Sequence, residues 1–204
     1  MKELKIICFG DSLTFGYCAG FQKDYVSLFR SKVKEDFPDY NIYIKNKGVN
    51  GETSREGLQR LYEDVIDEHA DIVIMLFGSN DAAFSDYQHR ALEEFSYNYD
   101  TIIKELKTKS IQLVLITQPP VIEDEEMPFI ENEVLEKYSN IVINKSIEYN
   151  LPLVDMNKAF KKQPKEIYKT LFQWDGVHIS DEGYILFSNT IYEILKPIIE
   201  KRIN

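Results

Sequence analysis

Short apolar runs of strand length, separated by longer amphipathic stretches, most limit the folds open to this chain of 204 residues. Four such runs recur along the chain, and three of them are almost continuously apolar, as strands buried on both faces of a sheet must be. They cover residues 4–9, 72–77, 111–117 and 151–155. A fifth run, residues 40–47, alternates apolar and polar side chains, which is typical of a strand nearer the edge of a sheet.

Helical periodicity fills the stretches between these runs. Apolar residues recur at spacings of three and four in three places, which predicts three amphipathic helices. The apolar positions are Leu92, Phe95, Tyr99, Ile102, Ile103 and Leu106, then Val134, Tyr138, Ile141, Val142 and Ile147, then Phe187, Ile191, Ile194, Leu195 and Ile198. Thr53 with Glu56 three residues later predicts a capping box at the start of another helix.

The resulting order, a strand followed by a helix and repeated about five times, favours an α/β fold with a parallel sheet and helices on both faces. No internal repeat or linker divides the sequence, so we expect residues 1–204 to form one domain. Segment 118–131 stands out, because it carries three prolines and the acidic run 123–126 directly after a predicted strand. We interpret it as a solvated loop, with a pocket wall or a lid as the alternative.

Four polar clusters follow predicted strands or precede the last predicted helix, and two of them hold the residue types of a serine hydrolase. Ser12 follows Gly10 and Asp11, where a sharp strand-to-helix turn exposes the serine hydroxyl at the carboxyl edge of the sheet. Asp175 and His178 lie three residues apart, so the carboxylate can orient an imidazole that takes the serine proton. We assign Asp11 to organising the serine loop. Each cluster, taken alone, is also ordinary turn chemistry.

The other two clusters offer hydrogen-bond donors to a negative oxygen. Gly51 lies in segment 46–53, where backbone N–H groups precede a capped helix and no side chain blocks the glycine N–H. Asn80, in segment 78–81, has a side-chain amide that can donate to a developing oxyanion. A plain Asn-Gly turn and an Asx turn explain these two segments equally well when each is taken alone. Together the four clusters supply a nucleophile, a base, an orienting acid and three oxyanion donors, the third being the Ser12 N–H.

The same four segments resemble the sequence blocks of the SGNH, or GDSL, hydrolase family. Residues 9–16 resemble the first block and residues 46–53 the second, while residues 78–81 and 175–178 resemble the third and the last. The order and spacing fit across nearly the whole chain. The resemblance implies a three-layer α/β/α sandwich of flavodoxin-like topology, built around a five-stranded parallel sheet.

For the site, the resemblance implies a serine esterase in which Ser12, Asp175 and His178 form the catalytic triad. It also implies that the oxyanion hole consists of Ser12, Gly51 and Asn80. Residues 77–83, 88–89, 92–94, 115–120 and 175–183 are most similar to the isoamyl acetate-hydrolysing esterase-like branch of the family. That likeness implies hydrolysis of small acetyl or other short-chain acyl esters through an acyl-serine intermediate.

Three other interpretations stay open. An acyl thioesterase, a lysophospholipase or a carbohydrate deacetylase would use the same site on another substrate. A nucleotide- or phosphate-binding flavodoxin-like module would use the turn at residues 10–14, but it gives residues 175–178 no role and lacks a glycine-rich phosphate loop. An interaction protein with an inactive site is the third, and the complete set of five site residues argues against it.

Charge and composition limit the partners. A net charge of −10, from 24 basic and 34 acidic residues, argues against nucleic acid and anionic membranes as partners. No apolar run of about 18 residues or signal peptide is present, and two cysteines fit a reducing compartment, so we expect a cytoplasmic protein. The cysteines and three histidines show no metal-ligand spacing, so we expect no metal or cofactor and a small-molecule ester as the substrate. The sequence leaves the oligomeric state open.

Overall fold

The computed structural model describes residues 3–123 and 129–203. Its centre is a parallel five-stranded sheet in the order β2-β1-β3-β4-β5. The strands are β1 (Glu3–Gly10), β2 (Asn41–Gly48), β3 (Ile72–Leu76), β4 (Gln112–Ile116) and β5 (Leu153–Val154). This order is that of flavodoxin-like sheets. The predicted α/β fold is therefore confirmed, and the alternating run at residues 40–47 does form an edge strand.

Helices cover both faces of the sheet. They are α1 (Ser12–Phe15), α2 (Tyr25–Asp36), α3 (Ser54–Gln59), α4 (Leu92–Thr108), α5 (Asn132–Tyr149), α6 (Met156–Lys161), α7 (Lys165–Tyr168) and α8 (Asp181–Ile203). Because successive side chains of a strand point to opposite faces, β1 contributes to two cores. Ile6 and Cys8 pack with residues of α2, α6 and α8, whereas Ile7 and Phe9 pack with residues of α4 and α5.

Two local predictions need correction. The run at residues 151–155 gives a strand of only two residues, because Pro152 has no N–H to donate and Asp155 instead caps α6 by accepting the Lys158 N–H at 3.0 Å. Ile147, placed in the apolar stripe of α5, is 73% exposed. It lies five residues beyond Val142, which is about 140° around a helix with 3.6 residues per turn. The capping box of α3 is present as predicted.

The carboxyl ends of β1 and β2 are tied together by Arg60. Its guanidinium donates to the carbonyl oxygens of Gly10 and Lys47, both at 2.9 Å, and stacks 4.4 Å from the centre of the Phe9 ring. A guanidinium can link the two strands in this way because it is planar and has several N–H donors, so it binds two backbone oxygens and covers an aromatic face at once. The loops that leave these two strands therefore start from fixed positions.

The end of β3 is fixed by side chains from α4 and from the segment after β4. The Tyr99 hydroxyl lies 3.3 Å from the Phe77 N–H nitrogen and 3.0 Å from the Phe77 carbonyl oxygen. The Gln118 amide donates to that same carbonyl, and its oxygen accepts from the Ser139 hydroxyl at 2.8 Å. Buried polar groups need such partners. Their arrangement sets the point from which the Gly78–Asp81 segment enters the site.

Of segment 118–131, the structure describes residues 118–123 and 129–131. The acidic run at residues 123–126 lies outside the described residues except for its first member, and the lid alternative stays a prediction. On one side of the gap the Ile122 N–H donates to the Gly176 carbonyl at 2.8 Å, and on the other the Phe129 carbonyl accepts from the Phe84 N–H at 3.0 Å. Both flanks therefore reach the carboxyl edge of the sheet. Within residues 3–123 and 129–203, no helix has the length and apolar character needed to span a membrane.

Candidate active site

Ser12 is the first residue of α1, directly after β1. Asp11 caps the helix, its Oδ1 accepting the Leu13 N–H at 2.9 Å. Only glycine fits at position 10, since a Cβ there would lie 2.3 Å from the Thr14 hydroxyl oxygen and 2.4 Å from a β3 carbonyl. The strand and the helix thus meet in a tight turn that leaves Ser12 at the sheet edge with 9% of its surface exposed.

Asp175 and His178 meet Ser12 across the chain. The Asp175 Oδ2 lies 2.6 Å from the His178 Nδ1, and the His178 Nε2 lies 3.1 Å from the Ser12 Oγ. A carboxylate only accepts hydrogen bonds, so the proton sits on Nδ1 and the serine hydroxyl donates to Nε2. Burial alone raises the pKa of Asp175, but hydrogen bonds from the His178 ring and from two backbone N–H groups outweigh it and hold the pKa below its ordinary value. The acid is ionised as an orienting group requires.

Gly51 and Asn80 border the same serine. Gly51 has φ of 78°, a conformation that favours glycine, while an added Cβ would meet only the Gln88 amide at 3.5 Å. Within residues 3–123 and 129–203, the N–H groups of Ser12 and Gly51 donate to no protein acceptor. The Asn80 Nδ2 donates to the Glu52 carbonyl at 2.8 Å, which leaves its second hydrogen for another partner.

One pocket of about 320 Å³ joins all five predicted site residues. Its wall also contains side chains that the sequence analysis did not assign to the site, namely Tyr17, Gln88, Phe129 and Trp174. Tyr17 packs against the His178 imidazole with ring centroids 4.5 Å apart and planes at 47°. Trp174 is 92% exposed at the pocket mouth. Trp174 directly precedes Asp175 in the sequence, which was a usable signal. Tyr17 meets His178 only in the fold, and Gln88 lies in the stretch 88–89 that is similar to one branch of the family, without a sign of its place in the pocket.

Comparison with known proteins identifies the family. The model of the GDSL-like Lipase/Acylhydrolase family matches residues 8–186. The chain belongs to this family. It is similar to an acetylxylan esterase of Geobacillus stearothermophilus, 26% identical over 199 residues and 90% of each chain. It is also similar to an isoamyl acetate-hydrolyzing esterase of Saccharomyces cerevisiae, 27% identical over 212 residues that cover 96% of this chain and 87% of the other.

A solved structure agrees with this placement. The lipase/acylhydrolase from Enterococcus faecalis matches with a TM-score of 0.81 and 28% identity, over 95% of this chain and 96% of that one. As a GDSL-like family member of the SGNH type, the protein is a carboxylic ester hydrolase, and the chemistry general to the family passes through an acyl-serine. The predicted family and enzyme class are therefore confirmed.

Two buried carboxyl groups support the site of this GDSL-like hydrolase from below. Burial, against the hydrogen bond from the Leu13 N–H and with the neighbouring Asp81 charge, raises the pKa of Asp11 to about 7. Burial also raises the pKa of Asp81 to about 7 against hydrogen bonds from Ser54. The Ser54 N–H and hydroxyl both donate to Asp81, and the Asn98 amide donates to the Ser54 oxygen. This network joins α3 and α4 beneath the part of the pocket that Gly51 and Asn80 line.

The remaining candidate ligands lie apart from the site. His69 and His89 are both exposed, and neither lines the pocket. Cys8 is buried in β1 and Cys18 is exposed, both as free thiols. In the part of the chain that the structure describes, no three histidine, cysteine, aspartate or glutamate side chains are grouped to hold a metal ion.

Proposed function

We propose that Ser12 is the nucleophile of this ester hydrolase, with His178 as its base and Asp175 as the group that orients the base. One observation carries the assignment, the continuous line of contacts from Asp175 through the imidazole to the serine hydroxyl at 2.6 and 3.1 Å. A serine hydroxyl is a weak nucleophile until an adjacent base removes its proton. The three residues supply that base and hold it in the required tautomer.

In the proposed reaction, His178 takes the hydroxyl proton as Ser12 Oγ attacks the ester carbonyl. Negative charge moves to the carbonyl oxygen, where the N–H groups of Ser12 and Gly51 and the amide of Asn80 donate to it. His178 then gives its proton to the departing alcohol, which leaves an acyl-serine. Water, deprotonated by the same imidazole, hydrolyses the acyl-serine and restores the hydroxyl. Asp175 stabilises the imidazolium at both stages.

The substrates we propose are acetyl and other short-chain acyl esters. The pocket volume of about 320 Å³ is near the lower end for small-molecule sites, which favours a small acyl group. Two relatives are named for hydrolysis of acetyl esters, one of acetylxylan and one of isoamyl acetate. We propose further that residues 1–204 form a single cytoplasmic domain whose partner is this small ester.

The nucleophile is tested with Ser12→Ala and a fluorophosphonate that labels activated serines. We expect the wild-type protein to be labelled and the variant to lose both labelling and nearly all turnover, with unchanged far-UV circular dichroism. Full activity in a folded Ser12→Ala protein ends the assignment.

Substrate length is tested on acetyl, butyryl, octanoyl and palmitoyl esters and an acyl thioester. We expect kcat/KM to fall as the acyl chain becomes longer. A steady rise of kcat/KM toward the palmitoyl ester favours a lipase or thioesterase.

A second candidate is hydrolysis of acetyl groups on sugars. It is favoured by Trp174, whose 92% exposed ring stands beside Asp175 at the pocket mouth and offers a flat apolar face to a sugar ring. Trp174→Ala should then raise KM for an acetylated oligosaccharide without changing kcat/KM for p-nitrophenyl acetate. The matched control is Phe21→Ala, which removes an equally exposed aromatic that does not line the pocket. Equal losses on both substrates exclude a sugar-binding role for Trp174.

A further inference from the structure

The side chain of Gln88 lies between two groups of the proposed oxyanion hole. Its Nε2 is 3.0 Å from the Gly51 carbonyl oxygen and 3.2 Å from the Asn80 Oδ1. Gln88 comes from the loop between Asn80 and α4, and it lines the same pocket as Asp175 and His178. It takes part in none of the proposed chemical steps.

The hydrogen-bond chemistry fixes how this amide must be oriented. A carboxamide nitrogen has two hydrogens, and Gln88 meets two oxygen acceptors. The reverse orientation would place the Gln88 Oε1 against two other oxygens, leaving both contacts repulsive. Since both hydrogens are engaged, the Nε2 has none left to donate to a substrate.

Gln88 and the Glu52 carbonyl together fix the orientation of the Asn80 amide. The Asn80 Oδ1 accepts from Gln88, so its Nδ2 must face the other way, where one hydrogen goes to the Glu52 carbonyl at 2.8 Å. The second Nδ2 hydrogen is the one available to an oxyanion. The Gly51–Glu52 backbone, Asn80 and Gln88 thus form a closed ring of hydrogen bonds, which we call the amide clasp.

The backbone that presents Gln88 is anchored by a buried arginine. The Arg90 Nη1 donates to the carbonyls of Tyr87 at 3.0 Å and His89 at 2.9 Å, one on each side of Gln88. The Arg90 Nη2 donates to the Glu56 carboxylate at 3.0 Å, which ties the loop to α3. A side chain on a loop held this way loses little freedom when it forms the clasp, so the oxyanion donors are aligned before substrate binds.

We propose that Gln88 is a positioning residue of the oxyanion hole, which acts through the amide clasp to hold the Asn80 amide in its donating orientation. The inference rests on the proposed function. It gives Gln88 an effect on transition-state stabilisation and little effect on ground-state binding, because the oxyanion exists only after the carbonyl is attacked.

The test compares Gln88→Met, which keeps length and volume but has no donor, with Gln88→Glu, which places a carboxylate oxygen against the two acceptors. We expect Gln88→Met to lower kcat by about 10- to 100-fold, the scale of a misplaced catalytic group, with KM nearly unchanged. Gln88→Glu should lower kcat more. Both should weaken inhibition by an alkylboronic acid, whose tetrahedral serine adduct carries an oxygen into the hole.

The double variant Gln88→Met/Asn80→Ala separates positioning from a direct contact. If Gln88 acts through Asn80, Gln88→Met should cost less than about threefold in the Asn80→Ala background, since mutations in one network are not additive. The matched control is His89→Ala, a change of an exposed neighbour on the same anchored loop, which should keep wild-type kcat and boronate affinity.

Wild-type kcat in Gln88→Glu, or losses that multiply in the double variant, would overturn the positioning role. Ser12→Ala run alongside shows which proposal has failed. An inactive Ser12→Ala protein with a fully active Gln88→Glu protein removes only the inference on Gln88. An active Ser12→Ala protein instead removes the proposed site, whatever Gln88 does.

Discussion

The two sides of the active-site pocket are built differently. On one side, Ser12 and Asn80 are buried and follow the ends of β1 and β3 by two and four residues. On the other, His178 and Asp175 are half-buried and belong to a loop before α8. The side with the proposed nucleophile (the nucleophile side) is therefore set by the sheet, while the side with the proposed base is set by a loop placed over it.

The contacts that hold each side differ in the same way. The loop is folded by its own neighbours, with the Gln173 N–H donating to the His178 carbonyl at 2.7 Å and a backbone bridge between Phe172 and Ile179. The Gln173 amide also donates to the Cys18 carbonyl at 3.1 Å. The side with Gly51 and Asn80 depends on side-chain contacts between separate segments, such as Gln88 with Gly51. Substitutions on the loop should therefore change chemistry with little loss of stability, whereas substitutions beneath the sheet edge should affect both.

The largest expected effect comes from removing the base. His178→Ala should lower kcat by about 10⁶ and Asp175→Asn by about 10⁴, because the second change keeps the imidazole but favours the wrong tautomer. Since both side chains are half-buried on a locally held loop, the midpoint of thermal unfolding should move little. The measurements are kcat on a short acyl ester and thermal unfolding by circular dichroism.

An exposed histidine provides the control for that comparison. His89→Ala should keep wild-type kcat, as should His69→Ala, because neither lines the pocket. Wild-type turnover in His178→Ala would place the base elsewhere and would remove the assignment of Asp175 with it. A large drop in the unfolding temperature of Asp175→Asn would instead contradict the expectation that substitutions on this loop change stability little.

On the sheet side, Asn80→Ala should lower kcat by about 10²–10³ with a smaller change in KM, the range for one lost oxyanion donor. The Glu52 carbonyl and the Gln88 amide both lose a partner in this variant, so the unfolding temperature should also fall. Asn80→Asp keeps the size but not the donors and should be at least as slow. Unchanged kcat in both variants would leave Asn80 as a purely structural link.

Tyr17 connects the two sides, since it follows α1 and packs on the His178 ring at 4.5 Å. Aromatic pairs of this kind contribute about 0.5–1.5 kcal/mol, so Tyr17→Leu should lower kcat/KM by about 2- to 12-fold. Tyr17→Phe keeps the ring and should retain wild-type kcat/KM. If kcat/KM of Tyr17→Phe falls as far as that of Tyr17→Leu, the hydroxyl rather than the packing of the ring is responsible.

The same division explains what the sequence could predict. The Thr53–Glu56 capping box and the Asp175–His178 pair are local, because the partners in each lie three positions apart in the sequence, and this spacing suggests both. The strands were found since burial on two faces demands continuous apolar runs. In these cases the chemistry and its partner lie in one window of sequence.

The amide clasp could not be predicted for the opposite reason. Gln88 lies in a polar loop without periodicity, and its two partners, Gly51 and Asn80, come within hydrogen-bond distance only when the chain folds. Arg90 is also misleading in sequence, because an arginine in a polar loop is usually exposed and this one is 7% exposed under its own loop. Residues such as these acquire their roles only after β1, β2 and β3 have brought the loops together.

The smallest expected effect on rate concerns Asp11, at the base of the sheet side. Its Oδ2 is buried and finds no hydrogen-bond partner among the described residues, while its Oδ1 caps α1. Asp11→Asn keeps an oxygen for the cap and removes the ionisable group. We therefore expect kcat of Asp11→Asn to change only a few-fold. The main effect of the substitution should be on the stability of the folded protein.

The sign of that difference follows from the pKa of Asp11, which rises from an ordinary value of 3.8 to about 7 on folding. Between those values the folded state binds more protons than the unfolded state, so stability due to this group falls as pH rises and is fully lost above about pH 7. The Asp11→Asn variant has no ionisable group at this position, so it does not lose this stability as pH rises. The unfolding temperature of the variant minus that of the wild type should be more positive at pH 8 than at pH 5, whereas the exposed Asp39→Asn should show no such trend. If the difference in unfolding temperature between Asp11→Asn and the wild type does not change with pH, Asp11 ionises in the folded protein as readily as in the unfolded chain. The nucleophile side would then tolerate a buried charge as easily as the loop does.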